Sequence, residues 1–294
     1  MYERFYGLRE RPFSLTPDPS YLYPSRVHRE ALSHLRYGIE GHAGFIVVTG
    51  EIGCGKTTML QTVLRALDKK TSIARLMNTM LDARELLQAI MLDFGLEPRP
   101  DATKPYLVRE LARFLVDQRN NGRLSLLVID EAQNLSVAQL EELRVLSNLN
   151  QGRQMLLQAI LVGQPELRAK LGGAPLRQFA QRIVADYHIG TLHAGETLDY
   201  VRHRLQVAGG AADLFTPEAV CRVYEAAGGT PRLINILCDH ALLYGFTEQC
   251  ARIDVEIVAE VLRDRAGGVL PLRGVEGIEG RPSTPPAAEP AWAG

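Results

Sequence analysis

The amino-acid sequence predicts an α/β fold in which helices cover both faces of a parallel β-sheet, followed by a smaller region made only of helices. Between Phe45 and about Ile189, five short apolar runs alternate with segments of helical periodicity. Such alternation is typical of parallel sheets. From Leu192 to about Asp264 the periodicity is helical throughout, and two Thr-Pro pairs stand at expected helix starts.

We expect four regions along the chain. Residues 1–44 contain an aromatic, proline-rich segment and one helix, and residues 45–190 form the α/β core. Residues 191–266 form the helical region. Residues 267–294 are rich in Gly, Pro and Ala, include Trp292 and are predicted to be disordered. The predicted strands are Phe45–Thr49, Ser72–Leu76, Leu124–Asp130, Leu156–Val162 and Ala185–Ile189.

Composition and charge exclude several classes of protein. The 294 residues are 46% hydrophobic and 23% charged, which is typical of a globular chain with more than one core. A net charge of −1 gives no overall field that favours DNA, although a local basic patch could still bind it. The first residues lack a secretory leader, and no apolar run has the ~20 residues of a membrane span. The expected location is the cytoplasm, with a peripheral position at the inner membrane through a partner as the alternative.

Residues 50–58 read GEIGCGKTT and satisfy the phosphate-loop pattern G-x-x-x-x-G-K-[ST]. An apolar, β-branched run precedes this loop and a helical pattern follows it. Backbone N–H groups in such a loop bind an anion together with the positive end of the helix. A glycine-rich turn that matches by chance is the alternative, but strand, loop and helix together favour phosphate binding.

The loop therefore predicts a nucleoside triphosphate site. Lys56 would bind the β- and γ-phosphates, and the Thr57 hydroxyl would be a ligand of Mg²⁺. Glycines would let the backbone approach the phosphates closely. The residues assigned to nucleotide binding are Gly50, Glu51, Ile52, Gly53, Cys54, Gly55, Lys56, Thr57 and Thr58.

Two acidic residues follow a run of four apolar residues, Leu126 to Ile129. Leu126 to Ile129 contain no polar residue, as expected for a strand buried on both faces. Asp130 follows and would bind nucleotide-associated Mg²⁺, and the next residue, Glu131, could deprotonate the attacking water. The alternative is a plain helix N-terminus, where acidic residues are favourable. Together with the phosphate loop, the pair favours hydrolysis.

Gln164 follows the next apolar strand and precedes Pro165, so it lies at a switch from strand to helix. Ligands of open α/β sheets bind at the carboxyl ends of the strands. The amide could therefore hydrogen-bond the γ-phosphate or the water. The alternative is that Gln164 only caps the helix that follows.

A phosphate-loop sheet followed by a small helical lid is the layout of AAA+ ATPases. The chain resembles more closely the general secretion pathway protein A (ExeA-like) family over about residues 2–264. ATPases that accompany the exosortase system of bacterial exopolysaccharide clusters are similar. The GQPEL and PRLIN blocks make this resemblance more specific than the loop alone. The matching segments are YGLRERPFSLTPDPSYLY, GEIGCGKTT, DEAQNL, LVGQPEL, LRQFAQRI and GGTPRLINILCDHALL.

This resemblance implies ATP and Mg²⁺ as cofactors, ATP hydrolysis, and a homo-oligomer with active sites between subunits. It also implies a protein partner in secretion or exopolysaccharide export. Secretion-type members continue into a membrane span and a cell-wall-binding domain, and this sequence does not. We therefore expect a function like that of the short relatives that act through a partner.

The resemblance also suggests two arginine roles. In LRQFAQRI, Arg182 is the first choice and Arg177 the second for a finger that stabilises charge on a neighbouring subunit's γ-phosphate. Arg232, in GGTPRLIN, matches the second sensor of the same chain. Exposed helix charges, or a pairing of Arg232 with a carboxylate, are the alternatives.

The predicted function is that of an AAA+ ATPase that uses ATP to drive assembly or remodelling of a partner complex. One alternative is an ATP-dependent, DNA-binding regulator of the transposition type, which salt-sensitive DNA binding would reveal. Another is a nucleotide-switched scaffold with negligible turnover, which a phosphate-release assay would separate from an enzyme.

Overall fold

The computed structural model describes residues 1–41, 44–67, 70–77, 79–151, 154–266 and 271–273. Most of the predicted tail, including Trp292, lies outside these residues. The strands are β1 (Phe45–Gly50), β2 (Thr71–Leu76), β3 (Leu124–Ile129), β4 (Asn150–Gln151), β5 (Gln154–Met155), β6 (Gln158–Gly163) and β7 (Ile183–Ile189). The α-helices are α1 (Tyr2–Phe5), α2 (Arg26–Glu40), α3 (Lys56–Ala66), α4 (Ala83–Asp93), α5 (Lys104–Asn120), α6 (Val137–Leu146), α7 (Pro165–Leu171), α8 (Arg177–Ala180), α9 (Ala194–Val207), α10 (Pro217–Ala227), α11 (Pro231–Thr247) and α12 (Val255–Asp264).

Five strands form one sheet in the order β2-β3-β6-β1-β7, and every neighbouring pair is parallel. The predicted α/β fold is therefore confirmed. Strand ends differ slightly from the prediction: Asp130 lies just beyond β3, and β7 begins two residues earlier, at Ile183. The short antiparallel pair of β4 and β5 was not predicted.

Helices bury both faces of the sheet, as the apolar run from Leu126 to Ile129 in β3 requires. Leu126 and Val128 pack in one cluster with side chains of α2 and α3. Leu127 and Ile129 pack in another with side chains of α4 to α8. Successive residues of a strand point to opposite faces, so a strand covered on both sides favours consecutive apolar residues.

The register of the central strands positions the candidate site. Thr49 of β1 pairs with Gly163 of β6, and Ile129 of β3 pairs with Leu161 of β6. These three parallel strands therefore end at one edge of the sheet. The segments that follow them carry the phosphate loop, the acidic pair and Gln164.

The chain forms two compact units, Leu15–Leu192, and Met1–Ser14 together with His193–Gly294. The N-terminal residues belong with the helical unit because the buried Arg204 of α9 donates to the main-chain oxygen of Ser14 over 3.1 Å. Its guanidinium also donates to the main-chain oxygen of Pro12. The sequence grouped residues 1–44 together, so the structure divides the N-terminus differently. None of the helices in the described residues has the length and apolar character needed to cross a membrane.

Candidate nucleotide site

The predicted phosphate loop joins the end of β1 to the start of α3. Gly53 and Gly55 have left-handed backbone conformations, with φ of +80° and +97°, which residues with side chains rarely adopt. Gly50 is required for a different reason. A Cβ there would lie 2.6 Å from the main-chain oxygen of Ile189 and 2.7 Å from the Sγ of Cys54.

Lys56 is the first residue of α3, and its side chain is folded back into the loop. Nζ donates to the main-chain oxygens of Gly50, over 2.7 Å, and Glu51, over 2.9 Å. The residue is buried. A buried cation whose described partners are neutral carbonyls favours an anion beside it. This arrangement is suited to a phosphate group.

Thr57 and Asp130 meet at the foot of the loop. The Thr57 Oγ1 donates to the Asp130 Oδ2 over 3.1 Å. Mg²⁺ prefers oxygen ligands and is usually held by one or two protein oxygens together with substrate phosphates. No cluster of three or more His, Cys, Asp or Glu with metal-binding geometry occurs in the described residues. The hydroxyl and carboxylate therefore fit a magnesium ion that arrives with a nucleotide.

Glu131 and Gln164 are in direct contact. Gln164 Nε2 donates to Glu131 Oε2 over 3.3 Å. Gln164 occupies the N-cap position of α7, but its side chain makes no capping hydrogen bond. Capping alone therefore does not account for this residue.

Two residues of the site were missed by sequence reasoning. Gln133 donates from Nε2 to Glu131 Oε2 over 2.6 Å. The buried His28 of α2 has Nδ1 2.7 Å from the Ser25 Oγ and Nε2 3.3 Å from the main-chain oxygen of Cys54. The contact of His28 with Cys54 joins positions 26 residues apart, and Gln133 also accepts from the main-chain N–H of Gln164, 31 residues further on. No local pattern indicates contacts of this kind.

Cys54 fills the interior of the loop and is fully buried. Burial raises the pKa of its thiol above the ordinary value, so the group is held in its neutral form. Glu51 and Ile52 are exposed, and Thr58 is half-buried. Nucleotide binding by these loop residues stays a prediction.

Arg182 lies at the opposite edge of the sheet. Its main-chain oxygen accepts from the N–H of Phe45, the first residue of β1, over 3.2 Å. Its guanidinium donates to the Ser147 Oγ over 2.7 Å and to the Asn148 Oδ1. Arg177, at the start of α8, is exposed, and its side chain has no hydrogen-bond or ion-pair partner in the part of the chain that the structure describes.

Arg232 belongs to the helical unit and lies in the first turn of α11. Its side chain is exposed and is paired with no carboxylate among the described residues. A role in a local ion pair is therefore not supported. Its assignment as the second sensor stays a prediction.

Comparisons with known proteins identify the family. A family model described as an AAA domain matches residues 39–171. General secretion pathway protein A of Aeromonas hydrophila is 44% identical over 262 residues, which cover 88% of this chain and 48% of that protein. The chain belongs to the AAA+ ATPase family of general secretion pathway protein A. It spans about half the length of that relative.

Solved structures agree with the AAA+ fold. The Aeropyrum pernix ORC2 protein has a TM-score of 0.64 at 16% identity, over 86% of this chain and 71% of that chain. A Drosophila ORC structure bound to DNA has a TM-score of 0.63 at 16% identity, over 85% and 63%. The Thermotoga maritima RuvB Holliday junction branch migration motor has a TM-score of 0.57 at 18% identity, over 82% and 70%. At these identities the similarity shows the fold alone.

In this AAA+ protein, the elements of one sheet edge carry the residues predicted for nucleotide chemistry, which are Lys56, Thr57, Asp130, Glu131 and Gln164. Arg182 lies at the other edge, and Arg232 lies in the other unit.

Proposed function

We propose that this protein binds ATP with Mg²⁺ and hydrolyses it to ADP and phosphate. The observation that carries the proposal is the 3.1 Å hydrogen bond between Thr57 and Asp130. It joins the end of the phosphate loop to Asp130, the acidic residue that follows β3. The two halves of a hydrolytic nucleotide site are thereby held together in one compact unit.

Each residue has a distinct task in this proposal. Lys56 and the loop N–H groups bind the β- and γ-phosphates, while Thr57 and Asp130 hold Mg²⁺. When bound, the metal neutralises charge that develops on the phosphates. Glu131 accepts a proton from water as the water oxygen bonds to the γ-phosphorus and the bond to the β-phosphate oxygen breaks. Gln164 orients the carboxylate and donates to the water or the phosphate.

A second subunit completes the site in this proposal. Arg182 lies beside the first residue of β1, whereas the phosphate loop follows the last one. A strand of this length separates them by ~17 Å. Arg182 is therefore suited to the nucleotide of a neighbouring subunit, in a homo-oligomer. Its bonds to Ser147 and Asn148 would have to break, whereas the exposed Arg177 has no such restraint.

The partner is proposed to be a protein of a secretion or exopolysaccharide export system. The identity with general secretion pathway protein A supports this choice. ATP binding and hydrolysis would drive assembly or remodelling of that complex. A position at the inner membrane through this partner is part of the same proposal.

Phosphate release by purified protein tests the chemistry. Wild type should hydrolyse ATP in the presence of Mg²⁺, and Glu131→Gln should bind ATP without turnover because an amide cannot accept the proton. Glu218→Gln, an exposed acid in the first turn of α10, is the matched control and should keep full activity. No turnover by wild type at any protein concentration would favour a scaffold. Salt-sensitive DNA binding would favour the DNA-binding regulator.

Mixing inactive variants tests the intersubunit finger. Arg182→Ala and Glu131→Gln should each be inactive alone, yet their mixture should recover activity. In mixed oligomers, some junctions place the intact Arg182 of a Glu131→Gln subunit against an Arg182→Ala subunit, which has a complete phosphate loop and an intact Glu131. A finger contributes ~10³-fold or more, so even a minority of repaired junctions is measurable. Recovery with Arg177→Ala in place of Arg182→Ala would assign the finger to Arg177, and recovery with neither would reject it.

A further inference from the structure

We infer that Gln133 is a positioning residue that fixes the carboxylate of Glu131 for its task as the base. This inference rests on the proposed function. Gln133 lies two residues after Glu131, in the short turn between β3 and α6. Its side chain connects Glu131 to the end of the neighbouring strand β6.

The amide of Gln133 uses both of its polar atoms. Nε2 donates to the Glu131 Oε2 over 2.6 Å. Oε1 accepts from the main-chain N–H of Gln164 over 3.0 Å. Because Gln164 directly follows β6, the amide is anchored to a buried strand and in turn restrains the carboxylate.

The turn itself is held from two further sides. Lys170 of α7 donates to the main-chain oxygen of Gln133, and to that of Leu135 over 2.7 Å. Gly163, the last residue of β6, leaves space for the amide. A Cβ at this position would lie 2.8 Å from the Gln133 Oε1 and 3.2 Å from the main-chain nitrogen of Gln133. The turn is therefore packed closely against the strand end.

The backbone of Glu131 indicates that these restraints act on the acid. Its φ of 53° and ψ of 37° are left-handed, which a residue with a side chain adopts rarely and only where its surroundings hold it. The N–H of Glu131 donates to the Asp130 Oδ1 over 3.0 Å. Glu131 is thus held by its backbone on one side and by its carboxylate on the other.

The two oxygens of the Glu131 carboxylate are consequently in different situations. Oε2 accepts from Gln133 and, over a longer 3.3 Å, from Gln164. Oε1 has no hydrogen-bond partner in the described part of the chain. Holding Oε2 leaves Oε1 as the oxygen that accepts the proton from water. Loss of the Gln133 donor would let the carboxylate rotate away from that orientation.

Steady-state hydrolysis and ATP affinity, measured together, test this role. Gln133→Leu should lower kcat by ~10-fold or more, within the 10²- to 10⁴-fold that a positioned base contributes. The Kd for ATP should stay within about twofold because Gln133 makes no hydrogen bond to the loop residues Gly50 to Thr58, which are assigned to nucleotide binding. The control is Gln206→Glu, at an exposed position in α9, which should change neither quantity.

A second variant separates a hydrogen-bond donor from a merely structural side chain. Gln133→Glu keeps the side-chain length and an acceptor for the N–H of Gln164, but at neutral pH it has no proton to donate to Glu131. Its kcat should therefore fall at least as far as that of Gln133→Leu, with the Kd for ATP again within about twofold. If Gln133 only anchored the turn, Gln133→Glu would keep a kcat close to that of wild type.

These outcomes separate the inference from the proposed function. Active wild type with a Gln133→Leu kcat within twofold of it would overturn the positioning role and leave the ATPase intact. A fall in affinity that matches the fall in kcat would also overturn it. If Gln133→Leu does not fold, Gln133→Glu decides, and a kcat within twofold of wild type in that variant overturns the inference. Wild type without turnover would refute both proposals.

Discussion

Substituting Gly50, the last residue of β1, by alanine should destabilise the α/β unit. The new Cβ would lie 2.6 Å from the main-chain oxygen of Ile189, about 0.8 Å inside ordinary van der Waals contact. It would also lie 2.7 Å from the Sγ of the buried Cys54. Neither atom can move cheaply, because one belongs to a paired strand and the other fills the loop. We expect the free energy of unfolding to fall by ~1–3 kcal/mol, the usual cost of overpacking.

Gly190→Ala is the matched control. Its Cβ would meet no atom within 4 Å. Both substitutions reduce the entropy of the unfolded chain equally, which stabilises by ~0.4–1 kcal/mol where the native conformation tolerates alanine. The difference between the two variants therefore isolates the overlap at Gly50.

Urea unfolding without nucleotide, followed by far-UV circular dichroism, measures this difference. The urea concentrations at the unfolding midpoint should be compared at a common slope of unfolding free energy against urea concentration. A changed slope would indicate a change in the unfolded or native ensemble. Cys54→Ala removes one of the two overlapping atoms, so its combination with Gly50→Ala should cost at least ~0.5 kcal/mol less than the sum of the single effects. Equal unfolding free energies for Gly50→Ala and Gly190→Ala would refute the steric reasoning.

Four further predictions concern the loop. Lys56→Ala should abolish ATP binding because the loop loses its buried cation, and unchanged affinity in a fluorescent-nucleotide titration would contradict the phosphate-loop assignment. His28→Ala should weaken ATP binding several-fold through loss of the contact with the Cys54 carbonyl; an unaltered Kd in that titration would leave His28 a packing role only. In native protein, iodoacetamide should react with the exposed Cys221 well before Cys54, which mass spectrometry can measure. The pKa of the Cys54 thiol is raised in the folded state, so the thiol of the unfolded chain ionises at lower pH. The free energy of unfolding should therefore fall as pH rises above about 9. This fall should be less steep in Cys54→Ala.

The sequence predicts the parts of the fold and the site that depend on local pattern. The phosphate loop is a contiguous run of residues whose glycines and lysine have fixed spacing. The strand before Asp130 is apolar from Leu126 to Ile129 because both faces of the sheet are covered. The meeting of Asp130 with Thr57 follows from parallel strands that end at one edge.

Other features depend on contacts between residues that are distant in the chain, which single-sequence patterns do not reveal. The contact of Gln133 with the residue after β6 joins positions 31 residues apart, and that of His28 with the loop joins positions 26 apart. The pairing of Tyr2 with Asp239, 237 residues away, places the N-terminus in the helical unit. A glutamine or histidine in a helix or turn carries no local sign of such a partner.

The division of the chain also has a consequence for the order of folding. The α/β unit is continuous in sequence, so all of its residues have been synthesised before helices α9 to α12 of the second unit begin. The first fourteen residues must wait until Arg204 and Asp239, their partners, have been synthesised. Closing so long a loop is slow compared with forming local contacts. During synthesis, therefore, the domain with the phosphate loop can mature first, and the oldest part of the chain finds its native position last.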